Sequence, residues 1–542
     1  MPQNISLILA GAVSLGSFEA GALDEILYVL DGLNRRGGDR YVIDSIAGAS
    51  AGAMTGALVA QAVMRGFDRR RLLHEAWVER IDITRLLDGI PDNALLSKRA
   101  IQEIGAELLP YRGTLDDAPS SLAGDTLRLA FTVTNITGVD YRLARSSDPD
   151  DDGAFESTFY AERREFVLHR DAPADDRWHE IREAAIASGN FPMAFAAHPL
   201  MSVRENWPGC ALDPFPDYFW YVDGGMFNNE PVGEAVRLAR LIDDPGTGAR
   251  IDPRRRFILV DANLNSTAHD PGFSDRSPLP DTAKRLAVAM MGEATANDWL
   301  KALRRNTEVG WRDRLVGTLA DLVGRLRVDD PDGLLRQLEL AAEDVVARKR
   351  ALLGHERYPA DYRARAVARL NAEHVALTRD MRPRQREAFG NLVFLVNSVA
   401  GLDRKRHLDL SMIHTDGHEV AGDQLHSFAG FFHRDWRQHD YVIGRAKARN
   451  ALPTILGIPD EELPPPEPGV PYLPEVDLCD VTMANAPRPA REHFRDATMR
   501  KVTDATRDLS FGPAWLRWGL GPLARLAVRK TARTRLEAML EL

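Results

Sequence analysis

The sequence predicts an α/β protein built on a mainly parallel central sheet, and three observations carry that expectation. The chain opens with an apolar run at residues 5–9, a glycine-containing turn at 11–16, a stretch with helical apolar spacing at 18–30 and a second apolar run from Tyr41. That strand–helix–strand order is the grammar of buried parallel strands. Further strand-like runs recur at 218–222 and 256–263 with a helical pattern, 233–242, between them. The runs at 5–9, 42–47 and 218–222 each feed directly into a turn rich in glycine, as strands do where an open sheet presents its ligand-binding edge.

The second of these turns is the most specific chemical signal. Residues 41–66 read YVIDSIAGASAGAMTGALVAQAVMRG, so Gly48-Ala49-Ser50-Ala51-Gly52 sits between a strand and a helix of small residues. A serine nucleophile must stand on a sharp, exposed corner whose neighbours carry almost no side chain, and all four flanking residues here are Gly or Ala. Ser50 is the candidate nucleophile, with Gly48 and Gly52 forming its elbow. The same five residues taken alone equally suit close packing of a helix on a sheet. In a parallel sheet the first turn lies beside the second, so Gly11, Ala12 and Val13 are expected to offer backbone N–H groups to the oxyanion formed when Ser50 attacks a carbonyl.

Along the rest of the chain, residues 127–145 alternate and suggest the two strands of a hairpin. Residues 148–153, DPDDDG, resemble the first half of a calcium loop, but the twelfth position is Phe159 rather than Glu, so a solvated turn is expected and no metal site. At 184–199 a helix gives way to an apolar loop in which Phe191, Pro192 and Phe195 are candidates to line an acyl pocket or to pack as ordinary core. Asp223 ends an aromatic strand and is followed by Gly224 and Gly225, a tight turn able to aim a carboxylate at a neighbouring site. Residues 281–379 are rich in Leu, Ala, Arg and Glu and read as an inserted helical block, a candidate lid.

Residues 391–400 suit either a strand or a buried helix. The His-, Arg- and aromatic-rich stretch 426–445 lacks metal-ligand spacing and reads as a packed helix with an Arg/Asp network on its surface. A proline-rich loop follows at 461–474. The final stretch, 515–542, is basic through Arg517, Arg525, Arg529, Lys530, Arg533 and Arg535. It suits either a helix docked on the body or one resting on an anionic membrane surface.

Composition limits the alternatives. A chain of 542 residues with 44% hydrophobic and 27% charged residues is a globular protein of more than one unit. Its net charge of -10 argues against nucleic acid as a partner. No apolar run reaches the length of a membrane span. Residues 5–15 are apolar, but no Lys or Arg precedes them and glycines interrupt them, so a buried strand and a cytoplasmic location are expected rather than a secretory leader. Two cysteines, Cys210 and Cys479, fit a reducing compartment.

Together, residues 11–16, the Ser50 elbow, the loop Ala187-Ser188…Pro192…Phe195 and Asp223-Gly224-Gly225 resemble the patatin-like phospholipases in both content and order. The resemblance covers roughly residues 5–263, and 429–451 look like the distal core of large bacterial members. It implies a three-layer α/β/α fold and a lipid acyl hydrolase, a phospholipase A or esterase, with no cofactor. Ser50 would be the nucleophile, Asp223 the general base, and Gly11, Ala12 and Val13 the oxyanion loop. The implied organisation is a catalytic core over 1–265, a helical insertion over 266–385, a distal part of the core over 386–455, and a linker with a C-terminal helical extension over 456–542. Many relatives carry Gly-Gly-Gly and then Arg or Lys in the first turn, whereas this chain has Gly11-Ala12-Val13 and Leu15, so the positive charge is missing. The N–H donors survive such changes where φ stays negative.

Two rival readings remain at this level. An α/β-hydrolase with a Ser-His-Asp triad would draw its base from His414, His418, His426, His433 or His439. A weakly active lipid-binding or scaffold protein would keep the fold without turnover.

Overall fold

The computed structural model describes residues 2–37, 41–110, 119–144, 153–171, 176–192, 194–245, 251–262, 273–274, 297–325, 331–353, 359, 361–400, 402, 407–415, 419–423, 427–476, 478, 481–508 and 521–542. Its centre is an eight-stranded sheet formed by β1 (Gln3–Leu9), β2 (Tyr41–Gly48), β3 (Ala123–Ala144), β4 (Ala154–His169), β5 (His198–Met201), β6 (Tyr218–Asp223), β7 (Arg256–Asp261) and β8 (Asp409–His414). The order is β5-β6-β3-β2-β1-β7-β8, with β4 also paired to β3. The pairs β1–β2, β2–β3, β1–β7 and β7–β8 are parallel, while β3–β4, β3–β6 and β5–β6 are antiparallel.

Alternation along β1 makes the three layers. Ile5, Leu7 and Leu9 join the large core with the helices α1 (Gly16–Arg35) and α2 (Ala51–Arg65), whereas Ile8 joins a separate core with Val232, Ala235, Val236 and Ala239 of the helix Val232–Asp243. Helices therefore cover both faces of a buried sheet, the α/β/α arrangement.

The expected hairpin at 127–145 is instead part of the single 22-residue strand β3. Its ladder with β4 shifts register between Thr134 and Val139, where Asn135 accepts the N–H groups of Thr137 (3.0 Å) and Gly138 (3.1 Å) and Gly138 takes φ 80°. Those turn-type residues make a bulge in one strand rather than a reversal. The suspected calcium loop lies outside the described residues at 148–152. Residues 391–400 fall at the end of the helix Pro383–Val399. With the helices Asn297–Arg325, Pro331–Leu353 and Tyr362–Glu373 it encloses a second core around Val346, Val367, Phe389 and Phe394.

The helix Arg434–Leu456 crosses α1 at backbone contact distance. A Cβ at Gly21 would lie 1.9 Å from the Tyr441 carbonyl oxygen, and one at Gly444 2.0 Å from that of Phe18. The expected surface network on this helix is buried instead. The Arg445 guanidinium meets Asp24 (3.0 Å) and Glu25 (2.6 Å) of α1, and Tyr472 of the proline-rich loop donates to Glu25 at 2.8 Å. Arg, Asp and Glu are ordinarily surface residues, and here pairing is what makes their burial tolerable. The chain's last helix, Gly521–Met539, contributes Leu536 to the large core and is tied to the helix Arg488–Asp508 by Arg491, which donates to the Leu540 carbonyl at 2.8 Å. Arg517 lies outside the described residues. Among the described residues no helix is long and apolar enough to cross a membrane.

Candidate active site

The parallel register Leu9↔Gly48 sets the ends of β1 and β2 side by side, so the turn after β1 and the elbow after β2 face one another. Ser50 stands at the corner between β2 and α2 with φ 53° and ψ -124°, a left-handed backbone imposed on a residue with a side chain. Its N–H donates to the Ser188 hydroxyl at 2.9 Å, which pins the corner to the end of the helix Arg177–Ser188.

β6 runs antiparallel to β3 and pairs Asp223 with Val133, which brings the carboxyl end of β6 to the same edge as the elbow. The Ser50 hydroxyl donates to Asp223 Oδ2 at 2.5 Å. The other carboxylate oxygen accepts the Gly225 N–H at 2.7 Å, which accounts for the glycine turn after the acid. Thr134 donates to the Asp223 carbonyl at 2.8 Å, and the Asp223 N–H donates to that of Asn190 at 3.0 Å. Burial pushes the Asp223 carboxyl up to about 6, against the opposing pull of the Ser50 and Gly225 hydrogen bonds. The geometry therefore joins a nucleophile-type hydroxyl to a carboxylate whose basicity is raised by its surroundings.

The first turn differs in detail from the sequence expectation. The Gly11 N–H is spent on the Asn229 carbonyl at 3.1 Å, so it is not available to an oxyanion. The N–H groups of Ala12 and Val13 have no acceptor among the described residues. Val13 takes φ 51°, so the negative φ set as the condition for keeping its donor is not met; its N–H stays without an acceptor among the described residues because the backbone is held in a conformation natural to glycine, which costs a β-branched residue of order 1–3 kcal/mol. Strain of that size persists only where the surroundings hold it.

Ser50 and Asp223 open into an apolar cleft of about 880 Å³, its mouth included. Val13, Met54, Leu58, Trp77, Ile104, Phe191, Phe195 and Phe428 line it, so it suits a hydrocarbon chain. Pro192 does not line the cleft; it forms an isolated bridge with Phe195, which does. Among the described residues of the helices between 297 and 399, none lines it.

Among the described histidines, none that a triad would need touches Ser50 or Asp223. His414 faces the Thr415 carbonyl (2.7 Å), His439 pairs with Asp440 (3.0 Å) and His433 caps its own helix. His418 and His426 lie outside the described residues. Sequence reasoning gives no role to Ser188, Asn190 and Asn229, which hold the elbow, the acid and the first turn. The only signal is that each is a polar residue in or beside a motif.

The Patatin-like phospholipase family model matches residues 7–236, a span containing Ser50, Asp223, the first turn and the three polar residues that hold them. A curated relative, the uncharacterized protein y4iI of Sinorhizobium fredii, is 23% identical in an alignment 336 residues long that covers 45% of this chain and 47% of that protein. The chain thus spans about half the length of the curated relative it matches. Among solved structures, the crystal structure of VipD from Legionella pneumophila aligns over 89% of this chain and 94% of that one, at 14% identity and a TM-score of 0.23. So loose a superposition supports no conclusion about the site or its chemistry.

Proposed function

We propose that this chain, which carries a patatin-like phospholipase domain over residues 7–236, cleaves fatty acyl esters through a Ser50–Asp223 dyad and an acyl-enzyme. The observation that carries the reading is the direct 2.5 Å bond from the Ser50 hydroxyl to the buried Asp223 carboxylate at the head of an apolar cleft. As Ser50 Oγ attacks the ester carbonyl, its proton passes to Asp223 Oδ2, and the tetrahedral oxyanion is met by the N–H groups of Ala12 and Val13. The C–O bond to the leaving alcohol then breaks, and Asp223 returns the proton to that alcohol. Water attacks the acyl-Ser50 ester, giving its proton to Asp223. Fatty acid leaves, and the proton returns to Ser50. The acyl chain occupies the cleft past Met54, Leu58 and Phe191.

The pH dependence of this cycle has a definite sign. Asp223 must be ionised to act as base, so with its carboxyl at about 6 the free enzyme is inactive well below that pH and fully competent above it. Fatty acid release from long-chain esters and from mixed phospholipid vesicles is expected to rise in kcat/KM through about pH 6 to a plateau. Vesicle binding without fatty acid release, unchanged by Ser50→Ala, would instead favour the binding protein, and release that Ser50→Ala leaves intact would remove Ser50 as the nucleophile.

A further inference from the structure

We propose that residues 427–432, far beyond the span matched by the family model, complete the catalytic site by bracing the oxyanion turn through Ser14. The inference rests on the hydrolase reading and extends it to a positioning residue and its distal partner. Ser14 directly follows the strained Val13, is fully buried, and donates its hydroxyl to the Ser427 carbonyl. Ser17 ties down the Ser14 carbonyl in turn at 3.1 Å. With Val13 at φ 51°, the backbone on either side must be held, and Ser14 supplies the hold on one side.

The partner segment is itself fixed. Buried Arg437 donates to the carbonyls of Gly430 (2.9 Å) and Phe431 (3.3 Å), and on its other side to that of Val78 (3.0 Å). Asp440 accepts the N–H groups of Ala421 (2.6 Å) and Gly422 (2.9 Å), anchoring the preceding residues to the same helix. The segment also gives Phe428 and Phe431 to the cleft wall, with Phe428 packed edge-on against Phe191 at 5.5 Å between ring centroids. One short segment therefore both walls the cleft and holds the turn that faces Ser50. In a chain that lacks the charged residue of the resembling first turns, rigid placement of the Ala12 and Val13 N–H groups is the remaining source of oxyanion stabilisation.

Two variants reach this contact from opposite ends of the sequence. Ser14→Ala removes the donor, and Gly430→Ala introduces a Cβ 2.6 Å from the Ser14 hydroxyl. Each is expected to lower kcat about tenfold or more with KM nearly unchanged, because the loss falls on the transition state. Each is also expected to weaken inhibition by a long-chain trifluoromethyl ketone, whose adduct carries an oxyanion, by the same factor as kcat/KM. A lesion that merely loosened the fold would lower the unfolding midpoint without that proportionality. Turnover and ketone inhibition within about twofold of the native protein in both variants would overturn the proposal. If the native chain and Ser50→Ala are equally inactive, the hydrolase reading fails separately, and amide hydrogen exchange decides the brace. Faster exchange at both 11–16 and 427–432 in Ser14→Ala then supports it, and unchanged exchange overturns it.

Discussion

Asp223→Asn is expected to lower kcat/KM by about 10³-fold or more while making the protein more stable. The loss follows from removing the base that accepts the Ser50 proton, a contribution of roughly 10²–10⁴ for a positioned general base. The gain follows from linkage. The folded carboxyl titrates at about 6 and the unfolded one near 3.9, so between those values the folded state holds a proton that the unfolded state has released. Stability therefore falls as pH rises through that window and stays lower above it, by up to about 3 kcal/mol. Asn keeps an acceptor for the Gly225 N–H and turns its amide N–H toward the Ser50 hydroxyl, which accepts it, and it has no charge to desolvate, so the variant escapes the penalty. Urea unfolding above about pH 7 should show the variant more stable by about 1–3 kcal/mol, with the difference shrinking below about pH 4. Retained turnover would remove Asp223 from the mechanism and return the search for a base to the histidines.

Gly11→Ala is the second large effect. A Cβ there would lie 2.1 Å from Asn229 Oδ1 and 3.0 Å from Ser50 Cβ, so glycine is required by close approach. Asn229 cannot simply move aside, since its carbonyl accepts the Gly11 N–H at 3.1 Å and its amide donates to the Gly11 carbonyl at 3.3 Å. The added methyl must displace the turn that carries Ala12 and Val13. Loss of one oxyanion donor costs roughly 10²–10³ in kcat, and a loss of about that size is expected, with little change in KM. Asn229→Ala in the same background removes the atom the methyl meets and should restore part of kcat. Native-like turnover in Gly11→Ala would mean that the first turn takes no part in catalysis.

The fold centre was legible because its information is local. The run from β1 through the elbow joins apolar strands, small-residue turns and an apolar helix in about sixty consecutive residues, and Asp223 stands at a strand end beside two glycines. What sequence could not reveal depends on distant contacts. Asn135 and Gly138 look like a reversal until β4 pairs along the whole of β3 and makes them a bulge. Arg445 and Asp440 look like surface residues until Glu25, and the N–H groups of Ala421 and Gly422, bury them. The positive φ of Val13 is invisible because a β-branched side chain gives no sign of it, even between Gly11 and Gly16; its hold comes through Ser14 from Ser427, 413 residues further on.

The most direct test is the mass of the protein quenched during turnover of a slow long-chain ester. A population heavier by one acyl group is expected, with the group on the peptide containing Ser50 and no such population in Ser50→Ala. An acyl group carried on any other residue, or ester turnover that Ser50→Ala leaves unchanged, would contradict the acyl-Ser50 mechanism.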